Sequence, residues 1–450
     1  SAETPAPGIL AVHGYINSRE VQSGFAIELA RRGYVVLALD QAGHGYSEGP
    51  AFAAGFGGPA ALRYLRSLDI VDNNNIGLEG HSMGGWTVLA AAAALPDGYR
   101  SVVLEGSSTG SGMAAPGTPE WPRNVAVVFA QFDEFAPLMW ESARGQDIAA
   151  SAKLQTLFGT SEPVTEGLLY GNIADGTARI WYSPPVTHPG NHISHASIGH
   201  ALDWFGRTLE GGNPDVDNQI WFAKEVGTLI ALCGFVILLL GSFRLLLLFP
   251  PFSAMAVPPG TYAFSHRNPR WWLGAILSAV IPVATFYPLM RWGGQLLPAS
   301  SWLPQTISTQ VAFWAVINGL LFAVLGLVLR ADRVEFQSRI RPALLIALGS
   351  VGIGYLAVLT ADFFFKIDFR FWFVGVKKLS LPQFQIMLVY LLPFTLFFVL
   401  ALRALHAGLS VAGDTRLRHY GSNALALMGG FLIFLLLQYG SLFIRGLLLT

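Results

Sequence analysis

The chain has 450 residues, 52% hydrophobic and only 12% charged, with a single cysteine that rules out an intrachain disulfide framework. Basic and acidic residues balance at 28 each, and no strongly basic face points to nucleic acid. The average hides two materials: residues 1–215 hold 21 acidic and 11 basic residues, whereas residues 216–450 hold 7 and 17.

Residues 8–12, Gly-Ile-Leu-Ala-Val, read as a buried strand ending in His13-Gly14-Tyr15. Residues 20–32 read as a helix. Residues 34–40 form a second apolar strand that runs into the Gly-rich turn 41–47. The run Ile76-Gly77-Leu78 leads to Gly80-His81-Ser82-Met83-Gly84, and residues 87–95 are Ala-rich and helical. G-x-S-x-G between a strand and a helix is the context of a nucleophile elbow: the turn is tight, small residues flank the serine, and the hydroxyl is raised above the sheet. Residues 124–130 and 178–182 are further strands, and 193–209 a closing helix. Wholly apolar strands alternating with helices predict an α/β fold with a parallel sheet covered on both faces.

The His13-Gly14-Tyr15 strand end, the turn from Asp40 to Ser47 and the stretch from Gly80 to Gly85 resemble the α/β-hydrolase superfamily, nearest to its dienelactone-hydrolase and acyl-peptidase-like branches, over about residues 8–210. That resemblance implies a doubly wound parallel sheet and a triad in the chain order serine, acid, histidine. Ser82 is then the nucleophile. The acid belongs just past a strand end, which selects Asp133 with Glu134 as rival. The histidine belongs in the loop after the last strand, which selects His188 with His192 as the alternative base; His195 and His200 fall on the closing helix. The oxyanion donors are the N–H groups of Met83 and Tyr15, and His13 and His44 hold loops. Residues 135–172 would form a cap, with Met139-Trp140, Leu157-Phe158 and Leu168-Leu169-Tyr170 as its pocket lining or its core. The family usually places two strands before its His-Gly strand, yet seven residues precede it here, so an upstream segment is expected.

The linker 211–220 opens with Gly-Gly-Asn-Pro-Asp, a run of breakers. It separates the 1–210 domain from an all-α domain, residues 221–450, with six apolar runs of membrane-spanning length: 227–249, 272–290, 311–329, 343–360, 386–405 and 424–448. Cys233 falls in the first. Residues 363–373 interleave aromatics with charge and read as an interfacial belt, or as a lid against the first domain. With the first run pointing inward, ten basic residues lie inside and seven outside, the cluster from Arg330 to Arg341 carrying the bias. This orientation puts the first domain and the C-terminus outside the cytoplasm of an integral membrane protein. Ionisable residues are nearly absent deep in the runs, which favours an anchor or partner-binding module over a transporter.

No Walker A, H-E-x-x-H or Cys/His spacing occurs, so no cofactor and no metal are expected. The expected partners are a lipid bilayer and a small-molecule or acyl-lipid substrate, with no nucleic acid; membrane-protein partners and oligomeric state stay open. Two functions fit: a membrane-anchored serine hydrolase cleaving an ester, thioester or amide through an acyl-enzyme, or a non-catalytic subunit using the hydrolase fold for binding.

Overall fold

Six apolar runs join one parallel sheet: β1 (Ala6–Val12), β2 (Val35–Leu39), β3 (Val71–His81), β4 (Ser101–Glu105), β5 (Val125–Val128) and β6 (Arg179–Tyr182). The computed structural model describes residues 5–213, 215–253, 255, 262–328, 340–406 and 408–449. Strand order is β2-β1-β3-β4-β5-β6, and every neighbouring pair is parallel. β4 is not among the strands read from the sequence, although Val102-Val103-Leu104 is as apolar as its neighbours and fully buried. β3 is longer than its apolar run because Val71 and Asp72 pair with Ala6 and Pro7 across an irregularity in the register.

Neighbouring residues of each strand serve opposite faces. On one side, Ile9, Val103, Ala126 and Ile180 pack on α1 (Ser23–Arg31) and α6 (His195–Thr208) through Phe25, Leu29, Trp204 and Phe205. On the other, Leu10, Leu78, Leu104 and Val127 pack on α2 (Gly58–Arg66), α3 (Met83–Ala94), α4 (Ala136–Trp140) and α5 (Ala152–Phe158). Phe25 and Phe205 are fully buried, each stabilising by about 1.5–3 kcal/mol. The chain runs from β1 outward to β2, then back across to β3 on the far side of β1. Loops leaving β1 and β3 therefore diverge, and a crevice opens at their carboxyl ends.

The helical region comprises α7 (Trp221–Leu246), α8 (Pro250–Ser253), α9 (Pro269–Leu296), α10 (Thr306–Val328), α11 (Ile340–Phe365), α12 (Leu381–His406) and α13 (Arg416–Arg445). A hairpin of β7 (Phe369–Phe371) and β8 (Val374–Val376) interrupts it. All of these helices but α8 are long and apolar enough to cross a membrane, six among the described residues, with mean hydropathy of 1.8 to 2.4. Each begins before the run read from the sequence, because helix geometry continues into flanking polar turns; α9, α11 and α12 also end beyond their runs, whereas α7, α10 and α13 end one to three residues short of theirs. Residues 330–339, which hold most of the arginine cluster, lie outside the described residues, as does Pro214 of the linker.

Two compact units result. One is Ser1–Gly234 with Asp368–Val376 and Ser441–Thr450; the other is Phe235–Ile367 with Lys377–Gly440. In the second, helices approach through small residues and neutral hydrogen bonds. A Cβ on Gly319 of α10 would lie 3.4 Å from Phe397 and Leu400 of α12. Thr309 and Tyr390 share a hydroxyl hydrogen bond of 2.7 Å, and Asn318 Nδ2 donates to Thr285 Oγ1 at 3.1 Å.

Candidate active site

Ser82 sits where β3 turns into α3, with φ 55° and ψ −121°. A non-glycine residue with positive φ is strained, and that strain is kept only where neighbours over-determine it. Here they do. The Ser82 N–H donates to the Glu105 carbonyl of β4 at 2.8 Å, and the Gly85 N–H closes the turn onto the Ser82 carbonyl at 2.9 Å. A Cβ on Gly80 would lie 2.3 Å from the Gly84 carbonyl oxygen, and one on Gly84 would lie 2.2 Å from that of Val12. Only glycine fits at either place, so the motif's glycines are a steric requirement of the turn. Ser82 is partly exposed between buried His81 and Met83.

Asp133 and His188 meet through the sheet. Past the ends of β5 and β6 the two chains stay in parallel register, with the Phe132 N–H donating to the Val186 carbonyl at 3.1 Å and a bridge between Phe132 and Thr187. The residue after each bridge partner is then a neighbour of the other, and His188 Nδ1–H donates to Asp133 Oδ2 at 2.8 Å. The other carboxylate oxygen, Oδ1, accepts the Phe135 N–H at 2.8 Å. Glu134, the rival acid, takes the main-chain N–H of His188 at 2.8 Å and so anchors the loop rather than the ring. Burial raises the Glu134 carboxyl above its usual range. Burial also opposes protonation of His188, but the Asp133 carboxylate, its hydrogen bond and Glu134 outweigh it and hold the imidazole above its ordinary pKa of 6.5. Among the described residues Ser82 Oγ makes no hydrogen bond to this ring; such contacts are often long before substrate binds.

His192 has a different environment. Its ring lies 3.8 Å from that of His81, both nitrogens are buried without a partner among the described residues, and burial lowers it to about 3. Asp133 serves His188, not His192. His81 Nε2–H donates to the His188 carbonyl at 3.0 Å, a tie that the sequence does not reveal. Phe135 lies against the His188 ring at 4.6 Å.

The loop after β1 supplies Tyr15. His13 organises it: Nδ1 bonds the Gly14 carbonyl at 2.7 Å, and Nε2 accepts the Gln41 N–H at 3.2 Å. Burial lowers His13 to about 4, which keeps it neutral. Neither the Met83 nor the Tyr15 N–H has a backbone acceptor among the described residues outside helices and strands. β1 and β3 are adjacent, so these two donors flank the crevice from both sides. Of the expected cap residues, Met139, Trp140, Leu157 and Phe158 are buried in the core beneath the sheet, while Leu168 and Leu169 are exposed. His195 packs on Trp221, and His200 stacks on Tyr182 at 4.0 Å.

Beneath the elbow, on the α1/α6 face, lie two buried glutamates. Glu79 accepts both of its 2.8 Å hydrogen bonds from Gln22, and burial raises it to about 8. Glu105 is the register partner of His81; neither of its carboxylate oxygens has a partner among the described residues, and burial with Glu79 nearby holds it well above the usual range. Each orphaned buried polar atom costs about 1–3 kcal/mol. No group of three metal-ligating side chains occurs among the described residues.

A family model described as alpha/beta hydrolase fold matches residues 7–160. This region has the α/β-hydrolase fold. The chain is similar to an extracellular α/β-hydrolase from a Paenibacillus species, at 22% identity over 22% of this chain and 39% of that one, with a TM-score of 0.20. It is similar to the dienelactone hydrolase of Anabaena variabilis, at 19% identity over 46% of this chain and 89% of that one, TM-score 0.31. A thermophilic esterase from Thermogutta terrifontis matches at 15% identity over 46% and 92%, TM-score 0.32. Among curated proteins none matches.

Proposed function

We propose that the first unit is a serine hydrolase that cleaves an ester or thioester through an acyl-enzyme, and that the six apolar helices anchor it in a membrane. The observation that carries this reading is the 2.8 Å Asp133–His188 hydrogen bond, formed at the same carboxyl end of the sheet where Ser82 is held in its strained turn. His188 Nε2 takes the Ser82 proton as Oγ attacks the substrate carbonyl carbon. Asp133 fixes the tautomer and stabilises the imidazolium without taking a proton. The Met83 and Tyr15 N–H groups receive the oxyanion. Collapse breaks the bond to the leaving group, which departs with the proton from His188. Water, deprotonated by His188, then attacks the acyl carbon and regenerates Ser82.

An apolar acyl group fits the rim. Tyr15, Ile16, Phe52, Met113 and Phe135 are exposed in loops after the carboxyl ends of the strands, and Leu138 is exposed on α4, which follows β5. An exposed apolar cluster around a polar centre marks a binding site for an apolar partner. The membrane reading rests on the exposed surface of the helices, of whose most apolar windows at most 28% is buried. Six crossings return the C-terminus to the side of the hydrolase, which the arginine bias puts outside the cytoplasm. A cysteine at Ser338 in a Cys233→Ser background should resist an impermeant thiol reagent in intact cells; labelling from outside inverts the topology.

A fluorophosphonate probe should label Ser82 in the folded chain, and Ser82→Ala should abolish both labelling and turnover of nitrophenyl acyl esters. Equal background turnover from both proteins, with no labelling, would assign the fold to binding instead.

A further inference from the structure

The hairpin Phe369–Val376 is carried by the second half of the chain, yet it belongs to the same compact unit as the sheet. Its local chemistry is unfavourable. Phe371 pairs with Val374, so Trp372 and Phe373 form a two-residue loop. Such loops ordinarily use Asn-Gly or Gly-containing pairs, because their backbones need positive φ. Here a tryptophan stands at φ 52°. A bulky residue is held in that conformation only by its surroundings.

Those surroundings are specific. The Trp372 N–H donates to Glu225 Oε2 at 3.1 Å, and its carbonyl accepts from Arg370 Nη1 at 3.1 Å. Arg370 is 3% exposed and is paired with Asp368 and, at 3.8 Å, with Glu20. Glu225 is itself buried and bonded by Lys224 and Ser23. The hairpin is thus a strap, tied by an ion network that is buried at Arg370 and Glu225 and reaches from the hairpin to the turn before α1 and to the start of α7. Sites where a sequence breaks a local rule, and the structure supports it elsewhere, are where function is expected.

What the strap delivers is an indole. The Trp372 ring lies 6.3 Å from His192, which lies 3.8 Å from His81, which lies 4.7 Å from His188 and bonds its carbonyl. Around this row, His81 Nδ1, the Glu105 carboxyl, Asn191 Nδ2, both His192 nitrogens and Trp372 Nε1 are buried polar atoms with no protein partner among the described residues. A half-satisfied polar layer of this kind keeps one arrangement only while it is shielded from bulk solvent.

We propose that Trp372 is a positioning residue for the base: seated by the hairpin, it closes the polar layer over His192 and, through His192 and His81, fixes the loop that carries His188. The second half of the chain is therefore needed to complete the catalytic unit, not only to hold it at a membrane. This inference rests on the acyl-transfer reading of Ser82 and His188.

The full-length chain in detergent or nanodiscs tests it, with Trp372→Ala, Trp372→Phe and Glu225→Ala. Trp372→Ala should lower kcat for a nitrophenyl ester by about tenfold or more, as small misplacements of catalytic groups do, with KM little changed. Trp372→Phe, which restores a ring over His192, should recover most of the loss. Hydrogen exchange in residues 188–194 should quicken in Trp372→Ala and in Glu225→Ala. A kcat within about twofold of wild type, or a loss confined to KM, overturns the proposal. Should Trp372→Ala fail to fold, Glu225→Ala decides: a folded variant with wild-type kcat and unchanged exchange overturns it. If wild-type Ser82 takes no fluorophosphonate, the hydrolase reading has failed, and the exchange of 188–194 still reports separately whether the hairpin seats that loop.

Discussion

The sheet unit and the helical unit bury polar groups by opposite rules. In the first, buried charge is common and worked into networks: Glu28 binds Arg31 and Arg32 at 2.8 and 2.7 Å, and Asp133 binds His188. In the second, buried polar side chains are uncharged, as with Ser278, Thr309, Asn318, Ser350 and Asn423. Its bidentate ion pair, Arg267 with Asp414, joins residues that lie outside the long helices. A carboxylate or imidazolium needs dipoles and partners around it, which a sheet with diverging loops supplies and a long apolar helix does not. Chemistry should therefore be confined to the sheet unit, and polar substitutions should matter far more there.

The largest expected effect tests that confinement. Ser82→Ala and His188→Ala should each lower kcat by about 10⁴-fold or more, and the double variant should be no worse than either, because members of a triad act as one unit. His192→Ala should cost much less, since the carboxylate that orients a base belongs to His188. Steady-state kinetics on a nitrophenyl ester checks the ranking; a larger loss at His192 would move the base.

Asp133→Asn comes next, at about 10³–10⁴-fold in kcat, because the amide cannot hold the required tautomer. Its pH profile carries a sign. His188 must be neutral to accept the serine proton, and Asp133 helps to hold it above 6.5, so wild-type kcat/KM should fall as pH drops through a value above 6.5. Removing the carboxylate should move that acid limb to lower pH. A limb that stays put would mean that Asp133 does not set the histidine.

How much of this was legible in the chain depends on range. The elbow was, because Gly80 and Gly84 report backbone clashes that are local to five residues. Asp133 and His188 were candidates from their places past strand ends, but the Phe132–Thr187 register that brings them together links residues 55 apart and leaves no periodic trace. β4 is absent from the strands read in the sequence although its composition matches the others. The seating of Trp372 was out of reach: the aromatic run read first as an interfacial belt and second as a lid, and the contacts of the hairpin with Glu225 and Glu20 leave no trace in composition. The six long apolar helices were plain because length and hydropathy suffice to define them, whereas their packing depends on single small residues such as Gly319.

A stability measurement sharpens the comparison within the sheet unit. Glu79 has a folded-state pKa near 8 against an ordinary 4.5, the result of burial. The folded state thus holds a proton that the unfolded state releases. The stabilisation is full below 4.5 and is lost as pH rises through 8. Glu79→Gln keeps the shape and removes the titration. Its melting temperature should match wild type at about pH 4 and exceed it at about pH 9, by on the order of 2–4 kcal/mol of stability. Parallel curves for the two proteins would show that Glu79 is ionised in the fold.

The smallest effect belongs to the helical unit. Asn318 is fully buried in α10, and its amide bonds Thr285 of α9 and the Trp314 carbonyl of its own helix at 2.9 Å. Asn318→Leu removes these bonds but strands nothing, since Thr285 Oγ1 still donates to the Ile281 carbonyl at 2.8 Å, and the Trp314 carbonyl keeps its i+4 main-chain donor within α10. Interhelical hydrogen bonds between neutral side chains are worth only about 0.6–1.7 kcal/mol where measured in membranes. The substitution should therefore cost about 1 kcal/mol in denaturant unfolding of the detergent-solubilised chain, and Ser82 labelling should be unchanged. A loss of several kcal/mol, or a fall in labelling, would show that this neutral interior is coupled to the catalytic unit as tightly as the charged networks of the sheet, and the division of labour between the two would not stand.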